Sequence, residues 1–264
     1  MNITSILYAV GLLGGIGILA GLVLTFADSK FHVEVDEREA RVREAVSGAN
    51  CGVCGYPGCD AFAAAVVRGE APVNGCLPGG AKAAEALAEI MGLNAEVQER
   101  MVARVLCQGR NDIVKVRYEY TGYQSCRLAS QMSGSPNMCH VSCIGLGACV
   151  RMCKFDALRI ENGLAVVDEE KCTGCGLCVG VCPHNVIKVM PQSASVLVKC
   201  RNTQPGRAAR EACQAACIGC KRCEKACQHD AIHVVDNCAT IDMDKCTRCG
   251  DCVAVCPAKC ITIV

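Results

Sequence analysis

From Ile3 to Ala27 the chain is apolar apart from Thr4, Ser5 and Thr25. At helical rise such a run crosses the hydrocarbon core of a bilayer, so it predicts a transmembrane helix within residues 1–28. A cleaved signal peptide has a basic start and a shorter apolar run, whereas here no Lys or Arg precedes Lys30. Asp36 to Val46 is charged and helix-compatible, and Asp60 to Val67 and Ala81 to Met91 are Ala-rich helical stretches. The segment 93–135 carries little periodicity, although Val114 to Tyr120 alternates as a strand does. Further on, Leu158 to Ile160 with Ala165 to Val167 predict a hairpin, and Val186 to Val189 and Ile261 to Ile263 predict closing strands. The segment 191–210 contains Pro205-Gly206 and is expected to be a linker.

The same chain repeats itself. Cys149, Cys153, Cys172, Cys175, Cys178 and Cys182 recur, at a constant spacing of 74 residues, as Cys223, Cys227, Cys246, Cys249, Cys252 and Cys256. A tandem duplication accounts for this, with one copy at 136–190 and the other at 211–264. The expected class is α+β: a transmembrane helix, a small helical Fe–S domain at 29–92, a connecting segment at 93–135, then two tandem bacterial-type two-cluster ferredoxin domains.

Composition sharpens the picture. A chain of 264 residues with 26 Cys, no Trp and 3% aromatic residues cannot rest on one large apolar core. Cys172-x2-Cys175-x2-Cys178-x3-Cys182-Pro183 and Cys246-x2-Cys249-x2-Cys252-x3-Cys256-Pro257 match the bacterial ferredoxin run, in which three thiolates hold one [4Fe–4S] cluster and the fourth reaches its neighbour. Secreted disulfide frameworks do not repeat this run, and iron-ligating thiolates need a reducing compartment. Three thiolates within seven residues suit a cuboidal cluster better than separated zinc knuckles. Cys51-Gly-Val-Cys54-Gly-Tyr-Pro-Gly-Cys59 with Cys76-Leu-Pro-Gly-Gly forms a further site of different spacing. A net charge of +1 gives no sign of nucleic-acid binding. Lys30, Arg38, Arg41 and Arg43 follow the apolar run, so the positive-inside rule predicts a single-pass protein of the cell membrane with its soluble part on the cytoplasmic side.

The repeat also exposes an anomaly. Cys143 and Cys149 correspond to Cys217 and Cys223, but the middle ligand Cys220 corresponds to Leu146, which cannot bind iron. Cys139 is the nearest substitute in sequence. The expected quartets are therefore Cys51, Cys54, Cys59 and Cys76; Cys139, Cys143, Cys149 and Cys182; Cys172, Cys175, Cys178 and Cys153; Cys217, Cys220, Cys223 and Cys256; and Cys246, Cys249, Cys252 and Cys227. By the same spacing Cys126 falls opposite Cys200 and Cys139 opposite Cys213. Cys107, Cys126, Cys200, Cys213, Cys238 and Cys260 are left over, and spacing alone gives them no ligand role; a free cysteine is commonly a small buried hydrophobe. No His occupies a ligand position.

Thiolate-ligated clusters exchange single electrons, and the chain offers no nucleotide fingerprint and no nucleophile with a base, so it reads as an electron relay with about five [4Fe–4S] clusters and no catalytic residue of its own. A stand-alone polyferredoxin shuttle would share the tandem runs but not residues 3–27. The order of apolar anchor, charged helix, Gly48-Ala49-Asn50-Cys51-Gly-Val-Cys54-Gly-Tyr-Pro-Gly-Cys59, Cys76-Leu-Pro-Gly-Gly and ferredoxin runs resembles the B subunit of the Rnf complex, the ion-translocating ferredoxin:NAD+ oxidoreductase. The resemblance covers nearly the whole chain. It implies membrane and flavin subunits as partners, soluble ferredoxin as electron donor, contact with membrane lipid, and a place in a complex that drives Na+ or H+ outward. Related Rsx-type members run electrons from NADH to a regulator instead. Simple family members carry one ferredoxin-like domain, whereas this chain has two.

Overall fold

The structure is a computed structural model that describes residues 3–31, 36–94 and 99–264. Helix α1 (Ile3–Phe31) contains the stretch Val10–Ala27, long and apolar enough to cross a membrane and not buried within the chain's own fold. Helix α2 (Glu37–Ala45) starts at Asp36, whose carboxylate accepts from the Arg38 amide and so satisfies one of the free N–H groups of the first turn. It packs on α3 (Cys59–Val67) and α4 (Gly80–Met91) around Val42, Phe62, Val66 and Leu87. These three helices form the small N-terminal unit, closed on its surface by the Arg43–Asp60 ion pair at 2.7 Å.

The remainder consists of β1 (Met101–Val105), α5 (Cys126–Gln131), α6 (Ala148–Met152), β2 (Leu158–Glu161), β3 (Leu164–Val167), α7 (Leu177–Gly180) and β4 (Ile187–Pro191). Then follow β5 (Val196–Val198), α8 (Gly206–Ala212), α9 (Arg222–Ala226), β6 (Ile232–Val235), β7 (Cys238–Ile241), α10 (Asp251–Ala254) and β8 (Ile261–Ile263). The hairpins β2–β3 and β6–β7 form as the alternating pattern predicts. The closing strands find partners where none was expected. β1 pairs antiparallel with β4, and β5 pairs antiparallel with β8.

Two boundaries expected from sequence are corrected by this pairing. The connecting segment 93–135 contributes β1 to the first ferredoxin unit, and the linker 191–210 contributes β5 to the second. A strand three residues long presents unpaired N–H and C=O groups on both edges, and one side is satisfied by the segment that enters the unit. The Val114 to Tyr120 alternation yields no strand; Val114 and Val116 make single bridges to Cys213 and Asn137.

The pairing also corrects the register of the repeat at its start. The Leu106 amide donates to the Val186 carbonyl and the Lys199 amide to the Cys260 carbonyl, both at 2.7 Å, so the residues after β1 and β5 occupy the same place in the two units. Cys107, and not Cys126, is therefore the counterpart of Cys200. Cys126 lies in an insertion peculiar to the first unit, at the start of α5.

Candidate iron-sulfur centres

Each ferredoxin run bends its thiols inward because the backbone turns left-handed between them. Gly174 (φ +68°) directly precedes Cys175, and a Cβ there would lie 2.5 Å from the Met101 carbonyl oxygen of β1, so only glycine fits against that strand. Arg100 holds the approach to the run by donating to the Glu169, Glu170 and Cys172 carbonyls at 2.8, 2.8 and 3.3 Å. Arg104, buried beneath it, pairs with the Glu169 carboxylate and donates to the Gln192 carbonyl at 3.2 Å.

Three of the five expected quartets line one cavity each. Cys153, Cys172, Cys175 and Cys178 bound a cavity of about 320 Å3, open mouth included, into which the sulfur of Cys172 also receives the Ala103 amide at 3.3 Å. Cys227, Cys246, Cys249 and Cys252 bound its counterpart of about 340 Å3. Cys217, Cys220, Cys223 and Cys256 bound a third of about 320 Å3. Four soft sulfur donors around one cavity, with amide N–H groups turned toward sulfur, fit the donor set of an all-cysteine iron–sulfur cluster. Among the described residues no three ligating side chains close tightly on a single metal ion.

In the N-terminal unit, Cys54, Cys59 and Cys76 share one core. Asn50, next to half-buried Cys51, accepts from the Cys59 amide at 2.8 Å, and Cys76 lies 3.8 Å from the Ser47 hydroxyl. This site adjoins the first ferredoxin unit: Cys76 and Cys172 border the same cavity, and Lys154 reaches the carbonyls of Ala49 and Asn50 at 3.4 and 3.3 Å.

The remaining quartet is not assembled as expected. Cys143 and Cys182 pack in the same core as Cys149, and Cys126 lies within electrostatic reach of both Cys143 and Cys149. Cys139 faces Cys200 and Cys213 instead, and its sulfur accepts from the Asn202 side-chain amide at 3.5 Å. Proximity in sequence is a poor guide at this site. Cys139 is buried in the seam between the two units, while Arg151 clamps the insertion in place by donating to the Gln124 carbonyl at 2.6 Å and the Leu146 carbonyl at 3.0 Å, which sets Cys126 beside the loop that lacks a cysteine. Burial pushes the Cys143 thiol up to about 11 and those of Cys149 and Cys178 up to about 12, so metal binding at these positions must displace a proton.

The second unit has a feature the first lacks. Cys238 donates its S–H to the Cys200 carbonyl at 3.3 Å, and the sulfur of Cys260 lies 3.6 Å from that of Cys256. Their counterparts in the first unit are Leu164 and Val186.

Family models for an Fe-S cluster, a 4Fe-4S binding domain and a 4Fe-4S dicluster domain match residues 48–78, 165–188 and 216–260. The chain is 47% identical over 261 residues to the B subunit of the Na(+)-translocating ferredoxin:NAD(+) oxidoreductase complex of Acetobacterium woodii, covering 98% of this chain and 78% of that one. It belongs to the Rnf complex B-subunit family. Other Rnf B relatives are the B subunit of the ion-translocating oxidoreductase complex of Methanosarcina acetivorans, 38% identical over 97% of each chain, and that of the proton-translocating ferredoxin:NAD(+) oxidoreductase complex of Clostridium ljungdahlii, 41% identical over 94% of this chain and 87% of its own. An Rnf B protein with ferredoxin-type domains is an electron-transfer component of a multisubunit oxidoreductase complex.

Proposed function

We propose that this chain takes electrons from a reduced soluble ferredoxin and relays them to membrane and flavin subunits of an ion-translocating ferredoxin:NAD+ oxidoreductase, to which α1 anchors it. The observation that carries the reading is continuity. A thiol-lined site that follows the anchor helix in the chain shares a cavity with the first ferredoxin unit, and the second unit packs on the first around Cys139, Cys200 and Cys213. When bound, [4Fe–4S] clusters supply reversible one-electron transfer. The sets that would hold them are Cys51, Cys54, Cys59 and Cys76, first in the chain after the anchor, then Cys153, Cys172, Cys175 and Cys178, then Cys126, Cys143, Cys149 and Cys182, with Cys126 in the role expected of Cys139. In the second unit the sets are Cys217, Cys220, Cys223 and Cys256, and Cys227, Cys246, Cys249 and Cys252.

The exposed face of the second unit suits a docking partner. Cys220 and Cys249 are exposed, as are Lys221, Arg222 and Arg248 beside them, whereas the matching positions in the first unit are Leu146, Cys175, Gly147, Ala148 and Gly174. Basic side chains around an exposed redox site steer an acidic one-electron protein to it. The basic residues after α1 support a cytoplasmic side for the ferredoxin units, with the anchor in membrane lipid. The test is anaerobic mixing of the detergent-solubilised full chain with reduced ferredoxin. Bleaching of its visible absorption at a rate that falls with salt is expected; no electron transfer at any ionic strength would contradict the reading.

A further inference from the structure

Four cysteines outside these quartets meet at the seam between the two ferredoxin units. We infer that Cys107, Cys139, Cys200 and Cys213 hold an additional iron–sulfur cluster that joins one unit to the other. The inference rests on the relay reading and extends it.

The four form two pairs related by the duplication. Cys107 and Cys200 follow β1 and β5, whose flanking amides make the same bond to the same place in each unit. Cys139 and Cys213 lie at the 74-residue spacing of the ligands themselves. A duplicated fold has thus brought like positions face to face, and all four carry a thiol.

They also meet in space. Cys139, Cys200 and Cys213 share a core with Val114, Ala209, Ala212 and Ala216, and Cys107 adjoins that core at Gly109, where a Cβ would lie 3.3 Å from the Cys107 sulfur and 3.5 Å from the Val114 side chain. The Lys115 amide donates to the Ala212 carbonyl and the Gln214 amide to the Ile113 carbonyl, at 3.0 and 3.1 Å, so both units build the site. The environment is that of ligand sulfur. Gly109 and Cys143 amides donate to Cys107 at 3.2 and 3.5 Å, and Cys217 and Asn202 amides to Cys200 at 3.2 and 3.5 Å. Asn202, fully buried, aims its side-chain amide at Cys139. A thiol that only fills space gains little from N–H donors, whereas a sulfide- and iron-bound thiolate is stabilised by each of them.

The position gives the site its role. Two of the donating amides belong to Cys143 and Cys217, which are ligand residues in the first and second unit, so the seam lies between those centres. One electron received from the neighbour on one side, which is thereby oxidised, leaves for the neighbour on the other, and no other reactant is consumed.

The test compares anaerobically prepared full-length wild type with Cys213→Ala, Cys139→Ser and Cys126→Ala by iron and sulfide analysis and native mass spectrometry. The wild type should carry about 24 irons and as many sulfides, and Cys213→Ala and Cys139→Ser about four fewer each, with the resonances of the other clusters kept. Cys126→Ala should lose a different cluster, distinguishable by its resonance. If both seam variants misfold, the wild-type count decides alone. About 20 irons, with the four seam thiols open to alkylation or holding one zinc, would overturn the seam cluster and leave the relay intact. Absence of sulfide altogether would instead bring down the relay reading.

Discussion

The amide of Cys143 donates to the sulfur of Cys107 across 36 residues of chain, and in the second unit the amide of Cys217 reaches Cys200 across only 17. The insertion that makes up the difference contains Cys126. Its helix α5 compensates for Leu146, and without it the first unit would present three thiols to one of its two sites.

Cys126→Ala is accordingly expected to remove about four irons from the full chain, and adding Leu146→Cys to that variant should restore them, since position 220 in the second unit carries cysteine. Iron analysis of the single and double variants checks this. Unchanged iron in Cys126→Ala would show that another thiol closes the site.

The ferredoxin runs are legible in the sequence because their ligands are adjacent and locked to a turn geometry that allows few spacings. The hairpins are legible for the same local reason. What the sequence hides is long-range: β1 and β5 are short, carry no motif, and declare themselves only by pairing with β4 and β8. Cys139 is the thiol nearest in sequence to the gap at Leu146, while the residue that fills the gap, Cys126, is delivered by Arg151 bridging Gln124 and Leu146. Cys107 has no ligand spacing to mark it, although its counterpart Cys200 sits in the same fold position.

The sulfur of Cys260 lies 3.6 Å from that of Cys256, so with Cys256 bound as a thiolate the Cys260 S–H is the donor, and such donors favour the more negative, reduced state of a cluster. Cys260→Val, which copies Val186 of the first unit, should lower the potential of the centre bound by Cys217 and Cys256 by about 40 mV, the one-electron equivalent of a hydrogen bond worth about 1 kcal/mol. Redox titration followed by paramagnetic resonance measures it. A potential that stays or rises would show that Cys260 does not act on that sulfur.

Arg104 is 5% exposed and its charge is met by Glu169. Glu169→Ala leaves that charge unpaired beside the Cys172 run and should cost about 2–3 kcal/mol, whereas the double change Arg104→Met with Glu169→Ala should cost less. The temperature at which the visible absorption bleaches ranks the three proteins. Equal bleaching temperatures would mean the pair carries no structural load.

Lys221→Glu with Arg222→Glu reverses charge beside exposed Cys220 without touching a ligand. The second-order rate of reduction by an acidic ferredoxin should fall about tenfold at low salt and much less at high salt. Stopped-flow mixing over a range of ionic strength decides it, and an unchanged rate would move the docking site elsewhere.

Acid-labile sulfide analysis of the full chain prepared without oxygen decides whether quartets of thiolates hold iron–sulfur clusters along the anchored chain. Sulfide and iron in equal amounts are expected, with paramagnetic signals of [4Fe–4S] clusters on reduction. Zinc in place of iron, with no sulfide released, would contradict cluster binding.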